Sequence, residues 1–265
     1  MRLPRLIATD LDGTLIGPDD RISPRNIKAL AAASAAGSAV VLVTGRPVRW
    51  LPAVYAQLGS PYPAICANGA VDYDPVTDLV HEARPLSPTV LARACTRLAA
   101  AIPGIAFAVE IEGGRRMLHE PAYPLFWDTT EPGVAEAPLS RLVAQPAVKL
   151  LARGGTHDPD EFSELIRTAV DGLVEVTHSS SSGLVEMSAT GVTKATGLAA
   201  LSERLGIAAA DVLAFGDMPN DVPMLRWAGR GIAVANAHPQ ARAAADGYTL
   251  SNVDDGVAAY LERLV

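Results

Sequence analysis

A chain of 265 residues is long enough for one large domain, or for a core carrying a second module of about 100 residues. With 49% hydrophobic residues, 19% charged residues and a formal net charge of −7, it reads as a well-buried globular protein, and a general nucleic-acid binder with a basic stripe is excluded. Cys66 and Cys95 are too far apart for a CxxC pair, the five histidines form no HExxH, and no run of about 18 apolar residues offers a membrane span.

Together with an N-terminus that turns acidic by Asp10 and lacks a signal-peptide core, these absences lead to the expectation of a soluble, cytoplasmic protein. The apolar run over residues 3–8 predicts a buried strand, and Thr9-Asp10-Leu11-Asp12-Gly13-Thr14 sets two carboxylates one residue apart where it ends. Side chains at i and i+2 of a strand leave the same face, so Asp10 and Asp12 project together beyond the sheet, and Gly13 lets the backbone turn. Two close carboxylates repel unless something neutralises them. A hard cation such as Mg²⁺, held by a few carboxylate oxygens and waters, does so; a polar turn in which each Asp accepts backbone N–H groups is the ordinary alternative. Residues 6–16 alone admit both readings.

Ser23-Pro24 opens a helix that runs to Gly37, and residues 39–43 form an apolar strand ending in Thr44-Gly45-Arg46. Such a strand–helix–strand unit implies a parallel pair with a right-handed crossover. A helix near 47–58 and a strand over 64–67, ending in Asn68-Gly69, repeat the unit, and residues 71–74 and 79–82 predict a hairpin. From about 84 to 188 the pattern changes. Here a helix is expected over 87–101, strands over 105–112 and 115–119, an irregular proline-rich stretch over 121–138, a strand over 147–152, a helix over 159–170, and strands over 173–177 and 184–187 joined by the serines at 179–182. The winding returns at Gly191, with helices over 193–205, 219–227, 239–245 and 257–264 alternating with strands over 211–215, 231–234 and 248–250. The expected architecture is α/β: a doubly wound parallel-sheet core from residues 1–83 and 189–265, with an α+β module inserted over 84–188.

Ligands of an open parallel sheet bind outside the carboxyl ends of its strands. The ends here deliver Asp10 and Asp12; Thr44, Gly45 and Arg46; Asn68 and Gly69; and Gly216-Asp217 with Asn220 and Asp221 close behind, while Lys194 opens the helix before that last strand. Singly, Lys194 reads as a solvated helix residue, Thr44 as a turn former and Asn220 as a cap. Jointly they gather carboxylates, a hydroxyl and cations at one edge.

Taken together these residues resemble the haloacid dehalogenase superfamily. Asp10-Leu11-Asp12-Gly13-Thr14 is similar to its first motif, Thr44 to its second, Lys194 to its third and Gly216-Asp217-Met218-Pro219-Asn220-Asp221 to its fourth. The late insert, Cys66-Ala67-Asn68-Gly69-Ala70 and Val253-Asp254-Asp255-Gly256-Val257 resemble the Cof-type sugar-phosphatase branch. The resemblance implies a Mg²⁺-dependent phosphomonoester hydrolase: Asp10 as nucleophile, Asp12 as general acid and base, and a metal held by Asp10, the backbone carbonyl of Asp12, and Asp217, with Asp221 near its outer shell. It further implies Thr44, Gly45, Lys194 and Asn220 at the phosphoryl group, and Arg46 and Asn68 toward substrate. Met218-Pro219 departs from the filler common in the fourth motif; Pro219 suits a first helical turn, so metal binding is expected to survive. The partner implied is a small phosphorylated metabolite, with sugar phosphates favoured by resemblance. A phosphomutase or phosphotransferase using the same site, or a binding protein without turnover, are the alternatives. Within the insert, Arg115, Arg116, His119, Tyr123, Trp127 and Lys149 have the chemistry to meet a substrate, but a charged residue on an exposed sheet is ordinarily its wet face, and Trp127 ordinarily packs.

Overall fold

β1 (Leu6–Thr9), α1 (Pro24–Ala35), β2 (Ala39–Val43), α2 (Leu51–Leu58) and β3 (Ala64–Cys66) alternate before β4 (Val71–Asp74) and β5 (Leu79–Ala83) form a hairpin. In the computed structural model, which describes residues 3–125, 131–154, 158–178 and 183–264, the chain then enters a second unit. It consists of α3 (Pro88–Ala101), β6 (Ala106–Ile111), β7 (Arg116–His119), β8 (Val134–Glu136), α4 (Leu139–Leu142), β9 (Lys149–Arg153), α5 (Pro159–Val170), β10 (Glu175–Thr177) and β11 (Leu184–Ser188). The winding resumes with α6 (Lys194–Arg204), β12 (Val212–Gly216), α7 (Val222–Trp227), β13 (Arg230–Ala233), α8 (Pro239–Ala244), β14 (Gly247–Tyr248) and α9 (Gly256–Leu261).

The first sheet has the order β14-β13-β12-β1-β2-β3-β4-β5. Its pairs are parallel from β14 to β3 and antiparallel through the β4–β5 hairpin. The apolar runs of β1, β2 and β12 are buried on both faces, as a parallel sheet between helix layers requires. Ile7, Leu42 and Phe215 pack on one side, and Leu6, Ala8, Val41 and Val43 on the other. Thr9 pairs with Phe215 and with Leu42, so the three strands end level and whatever follows them emerges at one edge.

The second sheet has the order β10-β11-β9-β6-β7-β8. Phe107, Val109, Leu150, Ala152, Val185 and Met187 form a core with Leu91 and Leu98 of α3 and Phe162 and Ile166 of α5. By the strand period of two, Ala108, Glu110, Lys149, Leu151 and Glu186 belong to the opposite face, and all are buried.

Two differences from the sequence expectation have local causes. The helix expected from 47 begins as a 3₁₀ turn, Val48–Trp50, because Pro52 at the start of α2 has no N–H to extend α-helical bonding backwards. The stretch 121–138 contains β8, three residues too short to show alternation, which pairs in parallel with β7. Trp127 and the serine turn at 179–182 lie outside the described residues.

Candidate active site

Asp10 follows β1 directly, is 4% exposed, and is still tied to β12 by its N–H to the Phe215 carbonyl at 3.0 Å. Asp217 follows β12 directly, and Asp221 closes the 3₁₀ turn that Pro219 opens. Lys194 is the first residue of α6, whose start is held by a reciprocal cap: Thr193 Oγ1 accepts the Thr196 N–H, and Thr196 Oγ1 accepts the Thr193 N–H. The ammonium of Lys194, 1% exposed, donates to Asp10 Oδ1 at 2.6 Å and to Asp221 Oδ1 at 2.7 Å. An ammonium so buried would be strongly destabilising without those two partners.

Oxygens of Asp10, Asp217 and Asp221 lie within 4.8 Å of one another, and the Asp12 carboxylate is not part of that cluster. Asp221 spends its second oxygen on the backbone N–H groups of Asp217 (2.9 Å) and Met218 (3.0 Å), and Asp217 Oδ1 accepts from Thr14 Oγ1 at 2.8 Å. The Asp10 and Asp217 carboxyls also meet each other, so each offers an oxygen to the middle of the cluster. Gly13, at φ +79°, makes room for the Asp217 carboxylate: a Cβ there would sit 2.3 Å from Asp217 Oδ2. Burial, then the charge of Asp221, pushes the Asp10 carboxyl well above its usual range against the pull of Lys194. The same two causes raise Asp217 to about 7. Burial opposes the charge on Lys194, but Asp10 and Asp221 outweigh it and hold its pKa above the usual value.

The remaining strand-end residues adjoin this cluster. Thr44 is fully buried and its Oγ1 accepts the Arg46 N–H at 3.0 Å, leaving the hydroxyl proton to donate. Arg46 grips Asp12 through Nε at 2.9 Å and Nη2 at 2.6 Å, and reaches Asp20 at 2.6 Å, so in this conformation its guanidinium is committed to carboxylates of the chain. The Asp12 side chain remains 51% exposed. Asn68, at φ +57°, forms part of a left-handed turn that Gly69 (φ +103°) completes against α6, where a Cβ would lie 2.0 Å from the Thr193 carbonyl oxygen. Asn68 Oδ1 accepts from Asn220 Nδ2 at 3.1 Å.

Over this edge lies the charged face of the second sheet. Lys149 Nζ donates to the Gly45 carbonyl at 2.5 Å and pairs with Glu186, while Glu110 pairs with Arg49 of the first unit. Lys149 is thus not a wet-face residue: it is 2% exposed because the strand ends of the other sheet cover it. Arg115 and Arg116 remain exposed and paired with Asp78 and Glu112, and His119 and Tyr123 are buried. A cleft of about 100 Å³ between the sheets is lined by Asp10, Asp12, Arg46, Trp50, Glu186 and Asn220. Sequence reasoning passed over Glu110, Glu186 and Arg49; for the two acids the available signal was charges recurring at one parity of strands whose other parity is apolar, whereas Arg49, on the 3₁₀ turn Val48–Trp50, carried no such signal.

A family model described as haloacid dehalogenase-like hydrolase matches residues 7–261. The chain belongs to that family. It is 30% identical to a phosphoglycolate phosphatase of Natronomonas pharaonis, over 97% of this chain and 96% of the relative. It is 29% identical to a 5-amino-6-(5-phospho-D-ribitylamino)uracil phosphatase of Bacillus subtilis, over 98% of this chain and 96% of the relative. Among solved structures, a haloacid dehalogenase-like hydrolase from B. subtilis superposes with a TM-score of 0.84 at 25% identity, covering 98% of this chain and 100% of the other. With this membership and these relatives, the chain is an enzyme of the haloacid dehalogenase phosphatase type. No helix among the described residues is long and apolar enough to cross a membrane.

Proposed function

We propose that the protein is a Mg²⁺-dependent phosphomonoester hydrolase that removes phosphate from a small metabolite through an aspartyl-phosphate at Asp10. The observation that carries this reading is the buried cluster in which Lys194 bridges Asp10 and Asp221 beside Asp217, in a chain of this family. Three carboxylates against one ammonium leave excess negative charge in a buried site, and the oxygens that Asp10 and Asp217 offer to its middle are the hard donors that Mg²⁺ takes, one or two carboxylates at a time. Asp10, Asp217 and the backbone carbonyl of Asp12 would hold the ion. Asp221, both of whose oxygens are engaged, organises the turn and Lys194 from the outer shell. Bound Mg²⁺ would offset the repulsion between the anionic nucleophile and the anionic substrate.

Asp10 attacks phosphorus, the bond to the leaving oxygen breaks, and Asp12 gives that oxygen its proton. Water then attacks the aspartyl-phosphate and Asp12 takes its proton, which frees phosphate, restores the Asp10 carboxylate and returns Asp12 to its protonated form. Lys194, the Thr44 hydroxyl, the Gly45 N–H and Asn220 stabilise the equatorial oxygens. Arg46 orients Asp12, and Asn68 orients Asn220. Residues 84–188 act as a cap whose charged face closes over the cleft and excludes water until product leaves.

The test is phosphate release from phenyl phosphate and a metabolite panel, with Mg²⁺ and with chelator, for the parent and Asp10→Asn. Release that needs Mg²⁺ and falls by about 10³-fold or more in the variant is expected. Activity surviving the substitution would remove Asp10 as nucleophile, and transfer to an added sugar would favour the mutase.

A further inference from the structure

The hydrogen bonds that reach the Asp12 carboxylate among the described residues all come from Arg46: Nε donates to Oδ2 at 2.9 Å and to Oδ1 at 3.1 Å, and Nη2 donates to Oδ1 at 2.6 Å. The direction in which Asp12 points is therefore set by a guanidinium at the end of a long, flexible side chain, which keeps its aim only if both ends are held. The near end is fixed, because Thr44 Oγ1 accepts the Arg46 N–H at 3.0 Å and the Arg46 carbonyl accepts the Ala67 N–H at 3.1 Å. At the far end, Asp20 Oδ1 accepts from the same Nη2 at 2.6 Å.

Asp20 lies in the excursion that follows Asp12. Bridges between Asp12 and Ile16 and between Ile16 and Ile22 fold residues 12–22 back on themselves. Gly17 closes the tip: its N–H donates to the Arg21 carbonyl at 2.8 Å, and its carbonyl accepts the Asp20 N–H at 3.1 Å. Asp20 itself sits at φ +58°, a conformation that residues other than glycine rarely adopt and keep where surrounding bonds impose it. Gln57 of α2 supplies those bonds, donating Nε2 to the Asp20 carbonyl at 3.1 Å and accepting the Ile22 N–H at 2.9 Å. The side chain carried on this held turn is 70% exposed and stands outside the lining of the cleft that holds Asp10 and Asp12, whereas the Arg46 side chain it pairs with is 13% exposed. An ion pair with so exposed a carboxylate adds little to folding, which leaves the aim of Arg46 as its effect.

We propose that Asp20 is a positioning residue for the proton transfers of Asp12: without touching substrate it anchors Arg46, and Arg46 aims Asp12 at the leaving oxygen. The proposal rests on the hydrolase reading above, in which the P–O bond to the leaving oxygen breaks, the electron pair stays on that oxygen and the Asp12 proton joins it. An alkoxide needs that proton, and a nitrophenolate leaves without it. The ratio of kcat/KM for an alkyl ester, propyl phosphate or the best substrate of the metabolite panel, to that for 4-nitrophenyl phosphate therefore reads the aim of Asp12 apart from the rest of the site.

Asp20→Gly removes the carboxylate at a φ that glycine accepts freely, and with Mg²⁺ it is expected to lower that ratio by about tenfold. Asp20→Asn, which keeps an oxygen acceptor and tolerates the same φ, should lower it less. In an Arg46→Ala background Asp20→Gly should change the ratio no further, since the anchor has nothing left to hold. An unmoved ratio, equal losses on both esters, or the same loss without Arg46 would overturn the role of Asp20 and leave the hydrolase reading standing. A parent that releases phosphate from none of these esters would remove that reading, and the proposal with it.

Discussion

At the edge of the eight-stranded sheet, three buried carboxylates share one buried ammonium, whereas on the facing side of the six-stranded sheet each buried acid has its own base, Glu110 with Arg49 and Glu186 with Lys149. Both regions bury charge, but only the first leaves it unbalanced. A balanced buried pair can hold a conformation by itself; an unbalanced cluster stores repulsion that a cation or proton relieves. The difference separates a surface built to close on its neighbour from a site built to receive something.

Removing the single ammonium is the harshest way to break the comparison. Lys194→Met leaves Asp10 and Asp221 buried without their base, and should lower the free energy of unfolding by about 3–5 kcal/mol in urea titrations. Phosphate release should fall by about 10³-fold. Near-parental stability would mean that the carboxylates already share protons that compensate for the missing charge.

The paired face should respond differently. Glu186→Met or Lys149→Met alone should cost about 3 kcal/mol, but the double variant should recover most of it, because an apolar pair of similar volume often replaces a buried ion pair without loss. A double-mutant cycle in urea measures the coupling. Additive losses would show that the contact of Lys149 with the Gly45 carbonyl, not its pairing with Glu186, carries the stability.

Asp217→Asn goes the other way. Neutralising one of three crowded carboxylates should stabilise the metal-free protein by about 1–2 kcal/mol, and Mg²⁺ should no longer raise its melting temperature. Thermal unfolding with and without Mg²⁺ reads both effects in one experiment.

Much of the unbalanced region was legible in the chain, because its residues occupy strand ends. An apolar run that stops at Asp10, Thr44 or Gly216 marks both a buried strand and the point where its edge opens, and parallel order puts those points together. The paired region was not legible. Lys149, Glu110 and Glu186 alternate with apolar neighbours just as solvent-facing residues would, and what buries them is an edge of the other sheet, with Gly45, 104 positions from Lys149, among its residues. The grip of Arg46 on Asp12 was hidden for a related reason: nothing in Thr44-Gly45-Arg46 says whether the guanidinium turns outward or back across the sheet.

The gentlest probe of the unbalanced cluster is pH. Because burial and Asp221 raise Asp217 to about 7 from an ordinary 3.8, the folded protein keeps a proton that the unfolded chain has lost between those values. The folded state therefore binds more protons across that window, and the stability of the metal-free protein falls as pH rises through it, by no more than about 1.4 kcal/mol per pH unit for one group. Below about pH 4 both states are protonated and the contribution vanishes; above about pH 7 the full penalty stands. Mg²⁺ requires the ionised carboxylate and competes with the proton, so it should add more stability at pH 8 than at pH 5. Urea titrations in chelator should show a falling limb toward pH 8 that Asp217→Asn flattens. An unchanged limb in that variant would move the excess charge from Asp217 to Asp10, the other carboxylate of the cluster that burial raises.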